Sequence, residues 1–196
     1  MFTSPVQAVL NFWFGDPASP ESSYAQRRKL WFTKSEETDE TIRQEFMPLY
    51  AQAATGELDS WETEPRSCLA LLLILDQFPR NLFRDTPRAF ATDEKALAIA
   101  KRAVDRGFDK ELTLVQRLFM YLPLEHSENL EDQHRSVALV KTLKDEDAAL
   151  EDAYDYALRH RDVIQRFGRF PHRNAILGRE STAEEQDFLQ QPGSRF

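Results

Sequence analysis

The sequence predicts an all-α protein, and two observations support that prediction. Only 6 of the 196 residues are glycine, and no Asn-Gly or Asp-Gly pair is present to turn a β-hairpin. Apolar residues instead recur every three or four positions between capping residues and prolines, which is typical of amphipathic helices. A chain of this length can bury a sizeable core, so we expect residues 1–196 to form a single domain.

About eight helices are predicted from these signals. The third, from Pro65 to about Phe78, is apolar on nearly every face and should be central. Pro48 is expected to kink or shorten the second helix, and Pro123 to end the fifth. Short connections favour antiparallel neighbours. The predicted helices begin near Pro5, Thr33, Pro65, Thr92, Leu112, Ser127, Glu146 and Ser181.

Composition excludes several classes of function. The single cysteine, Cys68, allows no internal disulfide and no cysteine-based zinc cluster, and its apolar surroundings predict a buried thiol. No apolar run reaches the roughly 20 residues that span a bilayer, and the N-terminus lacks the features of a secretory signal. A net charge of −8 opposes binding to nucleic acid. We therefore expect a cytoplasmic protein with no bound metal or cofactor and no membrane or nucleic-acid partner.

Asp76 is the single residue that most strongly indicates a functional site. It is expected at the end of the apolar third helix, where the helix dipole already carries partial negative charge. A buried carboxylate there requires a cation, which Arg80 or the arginine-rich stretch 159–179 can provide. The pair either fixes helix packing or faces a ligand, and the sequence leaves both interpretations open.

One short motif occurs twice. Phe78-Pro-Arg-Asn81 is repeated as Phe170-Pro-His-Arg-Asn174, with one histidine inserted. In both copies proline stiffens the backbone before an arginine and an asparagine, and such directed donors suit a carboxylate or a phosphate. We expect the two copies to face one anion site; alternatively, they only lock loops together. The candidate ligand-binding residues are Asp76, Arg80, Asn81, Arg169, Arg173 and Asn174.

Glu125 and His126 form a polar pair directly after Pro123, at a predicted helix boundary. A carboxylate beside a histidine can act as an acid–base pair near neutral pH. The alternative is capping, because acids at a helix N-terminus are common. His172 also follows a proline at a helix junction. The candidate catalytic residues are therefore Glu125, His126 and His172.

The remaining histidines and the aromatic clusters are interpreted as packing residues. His160 shares a helical stripe with apolar residues. Glu131-Asp-Gln-His134 has the spacing of di-metal bundles, but no second copy occurs in the chain, so no metal site is predicted. Asn11-Phe-Trp-Phe-Gly15 and Leu30-Trp-Phe-Thr33 have helical spacing, which favours core packing over stacking on a ligand.

Five segments resemble one bacterial family. They are Val9-Leu-Asn-Phe-Trp-Phe-Gly15, Leu75-Asp-Gln-Phe-Pro-Arg-Asn-Leu-Phe-Arg84, Arg88-Ala-Phe-Ala-Thr-Asp93, Tyr121-Leu-Pro-Leu-Glu-His-Ser-Glu128 and Arg166-Phe-Gly-Arg-Phe-Pro-His-Arg-Asn174. From about Val9 to Leu189 the chain resembles domain-of-unknown-function family 924. The resemblance implies a TPR-like fold, in which antiparallel helical hairpins form a right-handed array. It implies no reaction and no catalytic residues.

Two functions are compatible with these residues. The first is an interhelical site for a small anionic molecule, with or without catalysis, in which arginines and asparagines hold the anion and a histidine moves protons. The alternative is a TPR-like scaffold that binds a peptide or protein partner in a groove. A third interpretation makes every polar cluster structural. An enclosed cavity lined by the candidate residues would favour the first function.

Overall fold

The computed structural model describes residues 4–16 and 24–194, and within these ranges it contains helices and turns but no β-strand. The all-α prediction is therefore confirmed. The α-helices are α1 (Pro5–Phe14), α2 (Tyr24–Phe32), α3 (Glu36–Thr55), α4 (Pro65–Leu72), α5 (Phe78–Leu82), α6 (Asp93–Asp105), α7 (Leu114–Glu125), α8 (Leu130–Glu146), α9 (Glu151–Phe167) and α10 (Ala183–Leu189). Short 3₁₀ turns join several of them, including one at Pro171–Arg173.

Capping side chains set several of the helix boundaries. Ser4 accepts a hydrogen bond from a backbone N–H three residues on and caps α1, as predicted. Two other caps differ from the prediction. Asn129, and not Ser127, caps α8, because the Ser127 hydroxyl donates to an acid inside the helix. Thr182, and not Ser181, caps α10, where it forms a reciprocal capping box.

Helix α2 is not predicted from the sequence. Only Tyr24 and Trp31 are buried in it, and a polar run separates them, so the repeated apolar stripe of an amphipathic helix is missing. Tertiary contacts fix the helix instead. The Trp31 indole N–H donates to the Trp13 carbonyl at 2.9 Å, and the Tyr24 hydroxyl donates to Asp152 at 3.1 Å. These contacts attach α2 to α1 and α9.

Of the two effects predicted for Pro48, a kink or an early end, the early end is wrong, because α3 continues to Thr55. Pro48 lies on the exposed face, where the carbonyl that lacks an N–H partner can bond to water. Phe46 and Tyr50 hold the opposite face in the core. Packing of the buried face therefore outweighs the one lost backbone hydrogen bond.

Pro123 does not end α7 either, because the helix continues to Glu125. Only one backbone bond is lost, and buried leucines on both sides of the proline hold the turn in place. Glu125 therefore lies in the last turn of a helix and not at the start of the next one. A carboxylate at this end meets the partial negative charge of the helix dipole, so capping does not explain Glu125.

The apolar third helix does not end at Phe78 as predicted. α4 passes into a π-helical turn at Leu73–Gln77 and then directly into α5, so the element continues to Leu82. Such π turns are rare and occur frequently at functional sites. Asp76 lies in this turn, within a buried helix and not at its end.

Pro79 explains how the start of α6 is attached to the π turn. Because proline has no N–H, the carbonyl of Leu75, four residues earlier, lacks its α-helical donor. The Thr92 hydroxyl donates to this carbonyl at 2.6 Å. The sequence predicts Thr92 as the side-chain cap of α6, but it makes no capping bond, because its hydroxyl is used here. The start of α6, with Asp93, is thereby fixed beside the π turn.

One large cluster of buried apolar side chains connects α1 to α9, and α4 with its π turn contributes every residue from Cys68 to Leu75. α1, α6 and α7 pack on α4, α3 packs on α5, and α7, α8 and α9 pack consecutively. The TPR-like arrangement of these helices stays a prediction. Within residues 4–16 and 24–194, none of the helices has both the length and the apolarity to traverse a bilayer.

Phe78 tests this core, because its ring is fully buried and its centroid lies 5.1 Å from that of Phe46 and 5.6 Å from that of Trp13. We predict that Phe78→Ala lowers the free energy of unfolding by about 3–5 kcal/mol, since the ring leaves a cavity. Leu177→Ala, at a side chain 37% exposed, should change it by less than about 0.5 kcal/mol. Urea denaturation measures the free energy of unfolding of both variants. An equal decrease in the two would contradict the central position of Phe78.

Candidate functional site

A cavity of about 580 Å³ lies beside the π turn. Its walls come from α2, α5, α7, α9 and the Pro171–Arg173 turn. The candidate site residues that line it are Arg80, Asn81, Glu125, His126, His172 and Arg173. Asp76 lies directly behind this wall, whereas Arg169 and Asn174 lie outside it.

Asp76 is buried, as predicted, with 1% of its surface exposed. His126 Nδ1 lies 2.7 Å from its Oδ1, and the Gln77 amide donates to its Oδ2 at 2.5 Å. The predicted arginine partner is Arg80, whose Nη1 lies 3.5 Å from Oδ1, farther than the histidine. Burial alone would raise the pKa of Asp76, but His126 and Arg80 bring it below its ordinary value. Asp76 is therefore ionised at neutral pH.

His126 directly follows α7 and lines the cavity. Its Nδ1 is used by Asp76, whereas its Nε2 has no hydrogen-bond partner among the described residues and is not buried. Burial and Arg80 lower the pKa of His126, although Asp76 acts in the opposite direction. The imidazole is thus neutral at pH 7. With the proton on Nδ1, facing Asp76, the lone pair on Nε2 is available to the cavity.

Glu125 precedes His126 and is 4% exposed. Burial, followed by the negative charge of Asp76, raises the pKa of Glu125 to about 8. Its Oε1 lies 3.1 Å from Nδ1 of His160, which also lies 2.9 Å from the carbonyl oxygen of Tyr156. Burial lowers the pKa of His160 to about 3, so this contact is not an ion pair. At pH 7 Glu125 keeps its proton beside two neutral histidines.

Arg80 is held by two acidic residues. Its Nη1 and Nη2 donate to the carboxylate of Asp93 at 2.9 and 3.0 Å, and Nη1 also donates to the backbone carbonyl of Asp76 at 2.5 Å. Asp93 is the first residue of α6, where the helix dipole stabilises a negative charge. Arg80 is therefore a fixed and well-paired part of the cavity wall.

Arg173 differs from Arg80 in being buried with few polar contacts. Its side chain is 9% exposed, its Nε has no hydrogen-bond partner, and its guanidinium donates to no described residue. Its Nη1 lies 3.5 Å from Asp93 Oδ2, and its Cζ lies 4.5 and 4.8 Å from the ring centroids of Phe170 and Phe90. Burial and Arg80 lower the pKa of Arg173 to about 10. Arg173 is still charged at pH 7.

The two arginines of the repeated motif meet at Asp93; that both copies face one anion site stays a prediction. The second copy is held by Glu128, which accepts the Phe170 backbone N–H at 2.8 Å and pairs with Arg179 at 2.7 Å. The asparagines of the motif have structural partners. The Asn81 amide lines the cavity and donates to Asp39 at 2.8 Å.

Arg169 and Asn174 do not reach the cavity, because both bind Glu185. Arg169 donates to this carboxylate from Nε at 2.6 Å and from Nη2 at 2.8 Å, and Asn174 donates to it at 3.2 Å. The hydrogen bond from Arg169 lowers the pKa of Glu185 to about 2. These two candidate ligand-binding residues fasten α10 to the preceding turn. His172 does line the cavity, and burial followed by Arg173 lowers its pKa to about 3.

The aromatic residues that line the cavity are not among the candidate residues. Trp31, Phe90, Phe32 and Tyr156 line the cavity, and the last two are 53% and 45% exposed. The interpretation of Leu30-Trp-Phe-Thr33 as core is therefore wrong for Phe32. Helical spacing does not distinguish the two environments, because aromatic residues recur with the same spacing in a core and in a cavity wall.

Three polar residues of the site are not among the candidates that the sequence indicates. Gln77 adjoins Asp76 directly before the first copy of the Phe-Pro-Arg-Asn motif, and the apolar stripe around His160 predicts a packing residue. Asp93 occupies the first position of a helix, where an acid is ordinary. None of the three carries a local sequence signal, because each acquires its role from residues of other helices.

Within the described parts of the chain, no group of three or more His, Cys, Asp or Glu side chains is arranged to hold a metal ion. Cys68 is buried, as expected, and burial raises the pKa of its thiol to about 12. Its sulfur is therefore protonated at neutral pH and is a poor nucleophile.

A family model described as bacterial protein of unknown function (DUF924) matches residues 9–193. The chain belongs to the DUF924 family. A solved structure similar to this DUF924 protein is the protein of unknown function ATU0120 from Agrobacterium tumefaciens. It is 37% identical, the match covers 94% of this chain and 96% of that chain, and the TM-score is 0.81. A comparison with curated proteins finds no match.

The buried Asp76 provides a test of the site. We predict that Asp76→Ala lowers the free energy of unfolding by about 3–5 kcal/mol, because Arg80 and His126 lose a shared acceptor in a buried position. Asp105→Ala removes the side chain of an exposed ion pair, in which Asp105 is 65% exposed, and should cost less than about 1 kcal/mol. Chemical denaturation of both variants measures the difference; a cost at Asp76 as small as that at Asp105 would contradict its buried, paired state.

The raised pKa of Glu125 predicts a pH dependence of stability. Folding favours its protonated form, so the contribution of Glu125 to the stability of the wild-type protein falls as the pH rises from about 4.5 towards 8. Glu125→Gln cannot ionise, so its free energy of unfolding should rise relative to wild type by about 1 kcal/mol per pH unit in this window and then level off. The buried histidines titrate in both proteins and cancel. Urea denaturation at pH 5, 6.5 and 8 measures the difference, and parallel curves would contradict the raised pKa.

Proposed function

We propose that this DUF924 protein binds a small organic anion in the cavity, with the anionic group on Arg173. The observation that carries the proposal is that Arg173 is charged and nine-tenths buried, yet donates no hydrogen bond to the described residues. A buried guanidinium in this state is costly. An anion would satisfy it through charge-assisted bonds, for which the planar guanidinium is well suited.

The size of the cavity supports a small molecule. Its volume of about 580 Å³ falls within the range of about 300–1,000 Å³ that is typical of ligand pockets. Six of the nine candidate residues line this cavity, and they come from α5, from α7 with the residue that follows it, and from the Pro171–Arg173 turn. An extended peptide would instead use contacts spread along a groove, so we favour the small molecule over the scaffold.

The charge of the cavity supports an anion. Cationic side chains in its lining outnumber ionised acids: Arg28, Lys34, Arg80, Arg84 and Arg173 against Asp85 and Asp152. Arg28 pairs with Asp152, and Arg84 pairs with Asp39 just outside the lining, so the excess of positive charge available to a ligand is small and includes that of Arg173. Close to Arg173, however, Arg80 is paired with Asp93 and Asp76 is ionised. This local balance favours a singly charged carboxylate over a doubly charged phosphate.

The aromatic wall supports a ligand with an apolar body. Trp31 and Phe90 line the cavity, together with the partly exposed rings of Phe32 and Tyr156. Exposed aromatic rings at a concave site offer apolar contact area and stacking to a planar group. A carboxylate on Arg173 combined with a ring or chain against this wall would use both parts of the cavity.

We predict that at least one member of a panel of carboxylates, with and without an aromatic ring, raises the melting temperature of the protein. Acetate, benzoate and phenylacetate are suitable first members. A ligand at a hundredfold excess over its Kd adds about 2.7 kcal/mol of stability, which corresponds to roughly 5–11 °C for a chain of this size. Differential scanning fluorimetry measures the shift.

The matched variants are Arg173→Met and Arg169→Met, each compared with its own melting temperature without ligand. Methionine keeps a long apolar stem and removes the guanidinium donors. We expect Arg173→Met to lose the shift and Arg169→Met, outside the cavity, to keep it. An equal shift in Arg173→Met would place the anion elsewhere, and the absence of any shift across the panel would remove the proposed function.

A further inference from the structure

We propose that His126 is a catalytic base that removes a proton from a carbon next to a carbonyl group in the bound carboxylate, with Glu125 as the proton donor. This proposal rests on the proposed function, because it requires a carboxylate on Arg173. The substrate class is a small 2-oxo carboxylate with an apolar or aromatic substituent. The reaction class is proton transfer, interconverting keto and enol forms.

The geometry of His126 fits a general base. Asp76 lies 2.7 Å from Nδ1 and so fixes which nitrogen carries the proton. His126 lines the cavity, and its other nitrogen, Nε2, bonds to no described residue and is not buried. When Nε2 accepts a proton, the imidazolium that forms lies against the buried carboxylate of Asp76, which stabilises its positive charge. Asp76 is therefore a positioning residue, and His126 is the group that meets the substrate.

Glu125 supplies the complementary acid. It adjoins His126 in the chain, lines the same cavity and is 4% exposed. No arginine or lysine forms an ion pair with it in the described residues; its close partner is the neutral His160, 3.1 Å away. With a pKa of about 8, Glu125 holds a proton at pH 7 that it can donate. A neutral base and a neutral acid at one site can catalyse enolisation without forming an isolated charge on the substrate.

The step balances within these groups. Nε2 of His126 takes the proton, the electron pair of the C–H bond forms the C=C bond of the enol, and the former carbonyl oxygen takes the proton of Glu125. The products are an enol, an imidazolium on Asp76 and a Glu125 carboxylate. Transfer of a proton from His126 to Glu125 through solvent restores the site. No oxidant, reductant or leaving group is required.

The rest of the lining favours proton transfer over covalent catalysis. Among the described lining residues there is no serine and no cysteine. The Tyr24 hydroxyl is already bonded to Asp152 at 3.1 Å. Thr33 and Tyr156 also line the cavity, but the His126 ring forms its hydrogen bond with Asp76 and with neither of these hydroxyls. The base therefore holds no hydroxyl or thiol nucleophile to activate, and the proton that it accepts comes from the ligand itself.

The experiment measures deuterium exchange by ¹H NMR in D₂O with three probes: pyruvate, 2-oxoglutarate and phenylpyruvate. All three carry acidic hydrogens beside a carbonyl group, and phenylpyruvate also carries a ring for the aromatic wall. Phenylacetate is the matched control for binding, because it has the ring and the carboxylate without the carbonyl group. We expect the protein to accelerate exchange at phenylpyruvate most strongly, well above the rate in buffer alone.

The test variants are His126→Gln and Glu125→Gln, with Arg169→Met as a control outside the cavity. His126→Gln should lower the protein-dependent exchange rate by about a hundredfold or more while the phenylacetate-induced melting shift remains. Glu125→Gln should lower the rate and abolish the decrease that the wild-type rate shows above about pH 8. Should His126→Gln not fold, that wild-type pH profile, falling above about pH 8 as Glu125 ionises, tests the acid–base pair without it.

The outcomes separate this inference from the function on which it rests. Phenylacetate binding together with His126-dependent exchange supports both. If phenylacetate or another carboxylate binds but none of the three oxo acids exchanges faster than in buffer, or exchange is unchanged in His126→Gln, the catalytic inference is overturned and the binding function stands. If no carboxylate binds and no exchange is accelerated, both are overturned.

Discussion

The arrangement of the cavity follows from one constraint, which is that Pro79 cannot donate a backbone hydrogen bond. The carbonyl of Leu75 must therefore find another donor inside a buried helix, and it finds the hydroxyl of Thr92. That bond fixes the first turn of α6, so that Asp93 can bind Arg80. Pro79, a residue type that usually ends a helix, thus helps to determine where Asp93 and Arg80 meet. They meet beside the π turn that carries Asp76.

The site holds two buried carboxyl groups in opposite protonation states. Asp76 is surrounded by donors, from His126, Gln77 and Arg80, and stays ionised in spite of its burial. Glu125 is buried beside the neutral His160 and pairs with no arginine or lysine among the described residues, and the negative charge of Asp76 adds to its cost of ionisation. Environment alone therefore separates the two pKa values, which is how proteins assign different proton-transfer roles to the same functional group.

The sequence predicts the helices and several site residues well, because both leave local signals. Asp76 is conspicuous as an acid in an apolar run, and the repeated motif brings Arg80 and Arg173 to attention. The features that the sequence does not predict depend on contacts between residues that are far apart along the chain. α2 has no apolar stripe of its own, and Phe32 looks like a core residue until the cavity beside it is known. The π turn likewise leaves no local signal, and the chain continues through it into α5, so the helix end expected at Phe78 is wrong.

The contacts that form the cavity join residues that are far apart along the chain. Tyr24 and Asp152 are separated by 128 positions, His126 and Asp76 by 50. Contacts of such long range are late and slow to form, since each must close a large loop of unfolded chain. A nascent chain that still lacks Arg173 can acquire helices without acquiring the cavity. A ligand bound in this cavity, as proposed above, would therefore report the completion of folding, and a folding intermediate with most of its helices in place would not bind it.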